Sequence, residues 1–220
     1  MELTAPILAQ SIRFGSPSGN QKGIFLPNLV KRLRDEFKFV ETPSRAEDYN
    51  LESGMTLKYG SFDGFLINSF KLYRSGMFVE GVCRTEPLDS MLDRIEALLR
   101  SEFSTTITPA VPVARVYSSQ IEVTAVPGIQ TGLEVLQAVR DQMTKAVRAY
   151  GIGVQDYQVG SFSLTSDPLK SATEAKPQRF LFERRANRPF EQNVYFSEAP
   201  LQTSEHLAVL NDLEITLTTV

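Results

Sequence analysis

Hydrophobic positions along this chain follow two rhythms, one of three to four residues and one of two. The longer rhythm marks four helices. The first is predicted from Pro27 to about Lys38. Leu26, Leu29, Val30, Leu33 and Phe37 share one face there, and proline suits a first helical turn. The second runs from Leu88 to about Glu102, opened by Pro87, with Leu88, Met91, Leu92, Ile95, Leu98 and Leu99 as its stripe. The third opens on a capping box of Thr131 and Glu134, whose side chains satisfy free backbone N–H groups. Leu133, Leu136, Val139, Met143, Val147 and Tyr150 follow, and Gly151 stops the helix. The fourth begins near Thr203 or Ser204 and carries Leu207, Leu210, Leu213 and Leu217. The ending ITLTTV is richer in strand formers, so the pattern leaves the end of this helix open.

The shorter rhythm predicts strands. GMTLKYG, FLINSFKLYR and MFVEGVCR carry it in the first half, with Ser75-Gly76 as a tight turn. In the second half VARVYSSQIEVTAV, YQVGSFSLT, RFLFERR and FEQNVYF are the equivalents, and Ala186 to Pro189 makes the turn before the last. Along that last run Phe190, Val194 and Phe196 point to one side and Glu191, Asn193 and Tyr195 to the other. Thr42 to Ser53 reads as a polar loop, Ser166 to Pro177 as an exposed insertion, and residues 104–112 as a connector.

Each half thus reads strand, helix, three strands, helix. Small echoes accompany the order: Gly60-Ser61-Phe62 with Gly160-Ser161-Phe162, Glu86-Pro87-Leu88 with Ala199-Pro200-Leu201, and Ile95-Glu96 with Leu213-Glu214. The fold class expected is α+β, with antiparallel sheets, helices packed on one face, and an internal duplication related by a pseudo-twofold axis. Residues 1–108 and 109–220 are the two halves, expected to form one pseudo-dimeric body. They either share a sheet edge or pack face to face, since a lone half leaves an edge and a face bare. In plan alone this is similar to the TATA-binding protein, whose sequence motifs do not occur here.

Composition changes this picture little. The 220 residues are 42% hydrophobic and 22% charged, ordinary globular usage with enough apolar material for a core. No run approaches the roughly 20 apolar residues of a membrane helix, and the N-terminus lacks the basic segment of a signal peptide. One cysteine excludes an internal disulfide, so a reducing cytoplasm is the expected compartment. Net charge is −3, and neither half is basic: residues 1–110 carry 13 basic and 14 acidic side chains, residues 111–220 carry 10 and 12. Duplex-binding proteins draw most of their affinity from neutralised phosphates, so this balance disfavours nucleic acid.

Candidate chemistry is sparse. His206 is the only histidine, which rules out metal sites needing two imidazoles; it reads as a surface or interface residue in a first helical turn. Cys83 lies between Val82 and Arg84 and reads as a buried structural thiol. Gly151-Ile152-Gly153 follows a helix instead of opening one, so it is a stop and not a phosphate loop. Glu47, Asp48, Glu52 and Asp63 read as solvated charge and not as a cation site. No catalytic or metal-binding set emerges, and no cofactor is implied. The binding candidate is the hairpin bearing Arg179, Phe180, Phe182, Arg184, Arg185, Arg188 and Phe190, where arginine beside aromatics suits phosphate, bases or a protein surface, or ion pairs with Glu183 and Glu191.

The expectation is a non-enzymatic protein-interaction or assembly module working in a larger complex, with a protein partner or a second copy. The alternatives are nucleic-acid binding through the sheet face or the 179–190 hairpin, and small-ligand binding in a cleft between sheet and helices.

Overall fold

In the computed structural model, which describes residues 1–18, 24–111, 114–129, 137–149, 157–166 and 179–219, every short-period run joins one antiparallel sheet. The strands are β1 (Glu2–Ser18), β2 (Met55–Phe62), β3 (Phe65–Tyr73), β4 (Gly76–Gly81), β5 (Thr106–Pro109), β6 (Arg115–Thr124), β7 (Ser161–Leu164), β8 (Phe180–Arg184) and β9 (Val194–Ala199). Their order is β2-β3-β4-β1-β6-β9-β8-β7, with β5 paired to the tail of β1. The question of shared edge or face-to-face packing is thereby answered: β1 and β6 join along ten residue pairs, from Glu2↔Thr124 to Arg13↔Arg115.

The helices are α1 (Leu26–Phe37), α2 (Thr85–Phe103), α3 (Gln137–Ala149) and α4 (Thr203–Thr218). α2 begins three residues before the pattern suggested. Pro87 is tolerated because it falls in the first turn, where backbone N–H groups have no intrahelical acceptor. α4 keeps its helix through the strand-forming ending. Leu213 and Leu217 pack on the core, and the Thr216 and Thr218 hydroxyls donate back to the Asp212 and Glu214 carbonyls. Burial on one face overrides the β propensity of ITLT. The Thr131–Glu134 box, Tyr150, Gly151 to Gly153 and residues 167–177 lie outside the described residues.

Two expectations need correction. The connector is not free chain: Thr106–Pro109 pairs with Gly15–Ser18, and glycine is required at 15 because a Cβ there would sit 2.6 Å from the Thr108 carbonyl oxygen. Phe190 is not on the last strand. Phe190–Gln192 form a 3-10 turn, and β9 starts at Val194. The alternation of β9 holds from there, but its buried side is Tyr195, Ser197 and Ala199.

α1, α2 and α4 bury their stripes against the same side of the sheet. In the first half Leu29, Leu33, Phe37, Leu88, Leu92 and Ile95 meet Ala9, Leu57, Phe70 and Val79. In the second, Leu210 meets Ile121, Val123, Phe182 and Tyr195. Val139 and Met143 of α3, expected in its buried stripe, are exposed, and Thr144 is its buried residue. Among the described residues no helix is long and apolar enough to cross a membrane.

Candidate functional site

The expected arginine-aromatic cluster is divided by the sheet. Residues paired across strands share a face, so Arg184, opposite Tyr195, and Phe182, opposite Ser197, belong to the helix side. Phe182 is buried and stacks on Tyr195 at 4.4 Å, Phe180 packs on the same core, and the Arg184 guanidinium lies 5.2 Å from the Tyr195 ring centre. Arg185 and Arg188 turn to the other side. There Arg185 donates to Glu122 at 3.0 Å and covers the Phe196 ring at 5.5 Å, while Arg188 stands 3.9 Å from the same carboxylate. Arg179 is exposed, and Phe190 opens the 3-10 turn. The acid that holds Arg185 and Arg188 is Glu122 on β6, 63 residues before Arg185 in sequence.

The remaining chemical candidates resolve as structure. Cys83 is buried just past β4, and burial, reinforced by the Glu86 charge, pushes its thiol up to about 11, well away from nucleophilic thiolate. Asp48 caps the 3-10 turn Ala46–Tyr49 by accepting from the Arg45 and Ser44 amides, which lowers its pKa. Glu47 pairs with Arg45 and Glu52 with Arg74, while Asp63 sits in the β2–β3 turn. Among the described residues no three His, Cys, Asp or Glu side chains group as metal ligands.

His206 departs from the surface reading. It is fully buried, held between Ser119 Oγ at 2.7 Å from Nδ1 and Ser197 Oγ at 2.8 Å from Nε2. Ser197 donates its one proton to the Leu181 carbonyl at 2.8 Å, so its oxygen accepts from Nε2–H, and Nδ1 accepts from Ser119. Burial lowers the imidazole pKa to about 4 and keeps the ring neutral. The geometry resembles an activated serine, yet Ser119 is fully buried and out of reach of a substrate.

A second polar knot joins the halves. Asp89 of α2 accepts from Ser11 at 2.7 Å, Tyr117 at 2.8 Å and Gln202 at 3.1 Å. Burial and the bond to Asp89 raise the Tyr117 pKa. Buried Arg13 donates to the Asp89 carbonyl and pairs with Asp93 and Glu96; burial works against its charge, but those two acids outweigh it and raise its pKa.

Opposite α1, α2 and α4 lies a sheet face from which, among the described residues, neither core cluster draws a residue, although Ser118, Glu122 and Leu181 on it are buried. Strand register sets its rows. One runs Thr56, Lys71, Phe78, Ile12, Val116; the next runs Lys58, Ser69, Glu80, Gln10, Ser118. Beyond the β1–β6 joint come Leu8, Gln120, Glu198, Leu181, Ser163 and then Ala5, Glu122, Phe196, Glu183, Ser161. Gln10 donates to Glu80 at 2.8 Å and Gln120 to Glu198 at 3.1 Å, so two hydrogen-bonded carboxylates flank the centre. Outside them each side has a cation over a phenyl ring, Lys71 on Phe78 at 5.6 Å and Arg185 on Phe196. A groove of about 330 Å³ lies over Ile12, Phe14, Lys71, Tyr73 and Phe78. These residues are individually ordinary in sequence; the one available signal was the alternation of β1, β4 and β6, which does not tell the covered face from the open one. Compared with known proteins, the chain matches no family model and no curated sequence.

Proposed function

We propose that this chain is a non-enzymatic protein-interaction module that docks a protein partner on the open face of its sheet. The observation that carries the reading is the composition of that face. Half-buried Leu8, Ile12, Phe14, Phe78, Val116 and Phe196 supply an apolar contact area, and Lys71 and Arg185 hold their charge above aromatic rings. Aromatic and arginine anchors within an apolar patch are what protein interfaces use. The central carboxylates of Glu80 and Glu198, with Glu122 beyond, oppose a phosphate backbone laid across the same face. Arg185 and Arg188, turned to Glu122, and Arg184, beside Tyr195, weigh against the nucleic-acid reading of the 179–190 hairpin.

Strand order, the central row of the sheet and the helix starts support an internal duplication. Strand order runs outward from β1 as β4, β3, β2 and from β6 as β9, β8, β7. The central row Gly81, Ala9, Ser119, Ala199 is its own mirror in order. Thr85 and Thr203 open α2 and α4, 118 residues apart, and each hydroxyl accepts the other's backbone N–H at 3.0 and 2.8 Å. Two chains related by a twofold axis make contacts of this reciprocal kind. The same offset relates Phe78 to Phe196, Glu80 to Glu198 and Ile95-Glu96 to Leu213-Glu214. The Pro87 and Pro200 echo falls out of this register, since Pro87 lies inside α2 and Pro200 three residues before α4.

The test is a pair of substitutions on the face. Ile12→Glu buries a charge at the contact centre and is expected to weaken partner binding a hundredfold or more, with the far-ultraviolet dichroism unchanged. Arg179→Ala, on the exposed flank, is expected to change affinity less than threefold. Raising salt from 50 to 200 mM should lower affinity less than tenfold, against the thousandfold or greater loss of a phosphate-driven complex. Binding that survives Ile12→Glu, or that collapses with salt, contradicts the proposal.

A further inference from the structure

We infer that the first half contains a binding pocket for a small, uncharged apolar ligand such as a medium-length aliphatic alcohol, between the sheet and its helices. A cavity of about 230 Å³ opens between the tail of β1, β5, the start of α1 and the end of α2. Its wall is built from Ile24, Leu26, Leu51, Leu72, Met77 and Ile107, with Leu99 below. Among the described residues no charged side chain lines it. Its hydroxyl-bearing residues are Ser18, Tyr73 and Thr105, and Ser18 is exposed and already bound to Thr106 and Thr108.

Close-packed interiors leave few voids larger than a water molecule, so a space of this size inside a wall of aliphatic carbons is unusual. Water gains little there: a stable buried water needs two to four polar partners, and an apolar cavity of about 150 Å³ stays dry and admits benzene. A space half as large again suits a chain of on the order of eight carbon atoms. Gly15 and Gly76 both line it, and a Cβ would meet the Thr108 carbonyl at 2.6 Å or the Arg13 carbonyl at 2.2 Å, so the close approach of these strands along the pocket requires glycine at both positions. With no cation among the described lining residues, a carboxylate head finds no partner there and loses hydration, which favours an uncharged head group.

The probe is octanol, with octanoate as its charged counterpart, titrated into protein labelled with ¹³C at the methionine methyl groups. The chain has five methionines, of which Met77 lines the pocket and Met143 lies exposed on α3. The expected result is a saturable shift that is largest at Met77 and absent at Met143, with octanol binding at least tenfold more tightly than octanoate. Ile107→Trp, which adds bulk to the pocket wall from a partly buried position, is expected to weaken octanol at least tenfold, while Val209→Ala, exposed on α4, leaves it unchanged. No saturable shift at Met77, equal affinity for octanoate, or a folded Ile107→Trp variant that binds as the parent does would overturn the inference. The methyl titration uses the unmodified chain, so it decides the matter even where the tryptophan variant fails to fold.

Discussion

Replacing His206 by alanine is expected to cost about 3–5 kcal/mol of folding stability, because it opens a cavity, leaves the buried Ser119 hydroxyl without its acceptor and takes from Ser197 the donor its oxygen accepts. Ser119 and Ser197 are both fully buried, and the imidazole is the partner of each. The same residue makes stability depend on acid. Its pKa is lowered from 6.5 to about 4 by burial, so between those values the unfolded chain takes up a proton that the native one refuses. Stability is therefore full above pH 6.5, falls as pH drops toward 4, and loses roughly 3 kcal/mol across that window. The proposed duplication supplies a rescue. The first-half positions matching Ser119, Ser197 and His206 are Ala9, Val79 and Leu88, an apolar trio that is also fully buried. The triple change to those residues is expected to recover most of the stability lost by His206→Ala and to flatten the acid slope between pH 6.5 and 4. Urea unfolding at pH 7 and 5 reads both. A slope that survives in the triple variant would place the titrating group elsewhere.

Asp89→Ala is the second large effect, expected at about 3 kcal/mol. The carboxylate is the common acceptor of Ser11 on β1, Tyr117 on β6 and Gln202 ahead of α4, and its loss leaves the buried Ser11 hydroxyl unpartnered. Breaking a buried polar pair on one side costs more than the pair contributes when whole. Asp89→Asn keeps an acceptor oxygen at the site and is expected to cost less than half as much. Because the knot ties β1 and β6 to both closing helices, unfolding of the alanine variant should remain one cooperative transition with a lower midpoint. A loss under 0.5 kcal/mol would mean that water replaces the carboxylate freely.

The period of the apolar residues carried most of the fold. α1 and α2 lie where Leu29, Leu33, Phe37 and Leu88, Leu92, Ile95 recur, because those spacings survive any tertiary context. The end of α4 was not legible, since ITLT is strand-like by propensity and helical only through Leu213 and Leu217 packing on the second core. β5 escaped notice because four residues with two prolines nearby have no period to read, and its pairing depends on Gly15 in a distant strand. The site was less legible than the fold. Arginine and phenylalanine at 179–190 stood out by type, but strand alternation sends Phe182 and Arg184 inward and Arg185 outward, and the partner Glu122 lies on another strand. His206 looked superficial because helix starts are usually exposed; the serines that enclose it are 87 and 9 residues away. Long-range pairing of this kind leaves no local trace.

The most direct test of the central claim is the native mass of the chain isolated from its source cell, measured by sedimentation beside the Ile12→Glu variant. A docking module predicts a stoichiometric complex with another protein, or a dimer, for the parent chain and a single-chain mass for the variant. A parent chain that sediments as a monomer with nothing bound, indistinguishable from Ile12→Glu, would contradict it.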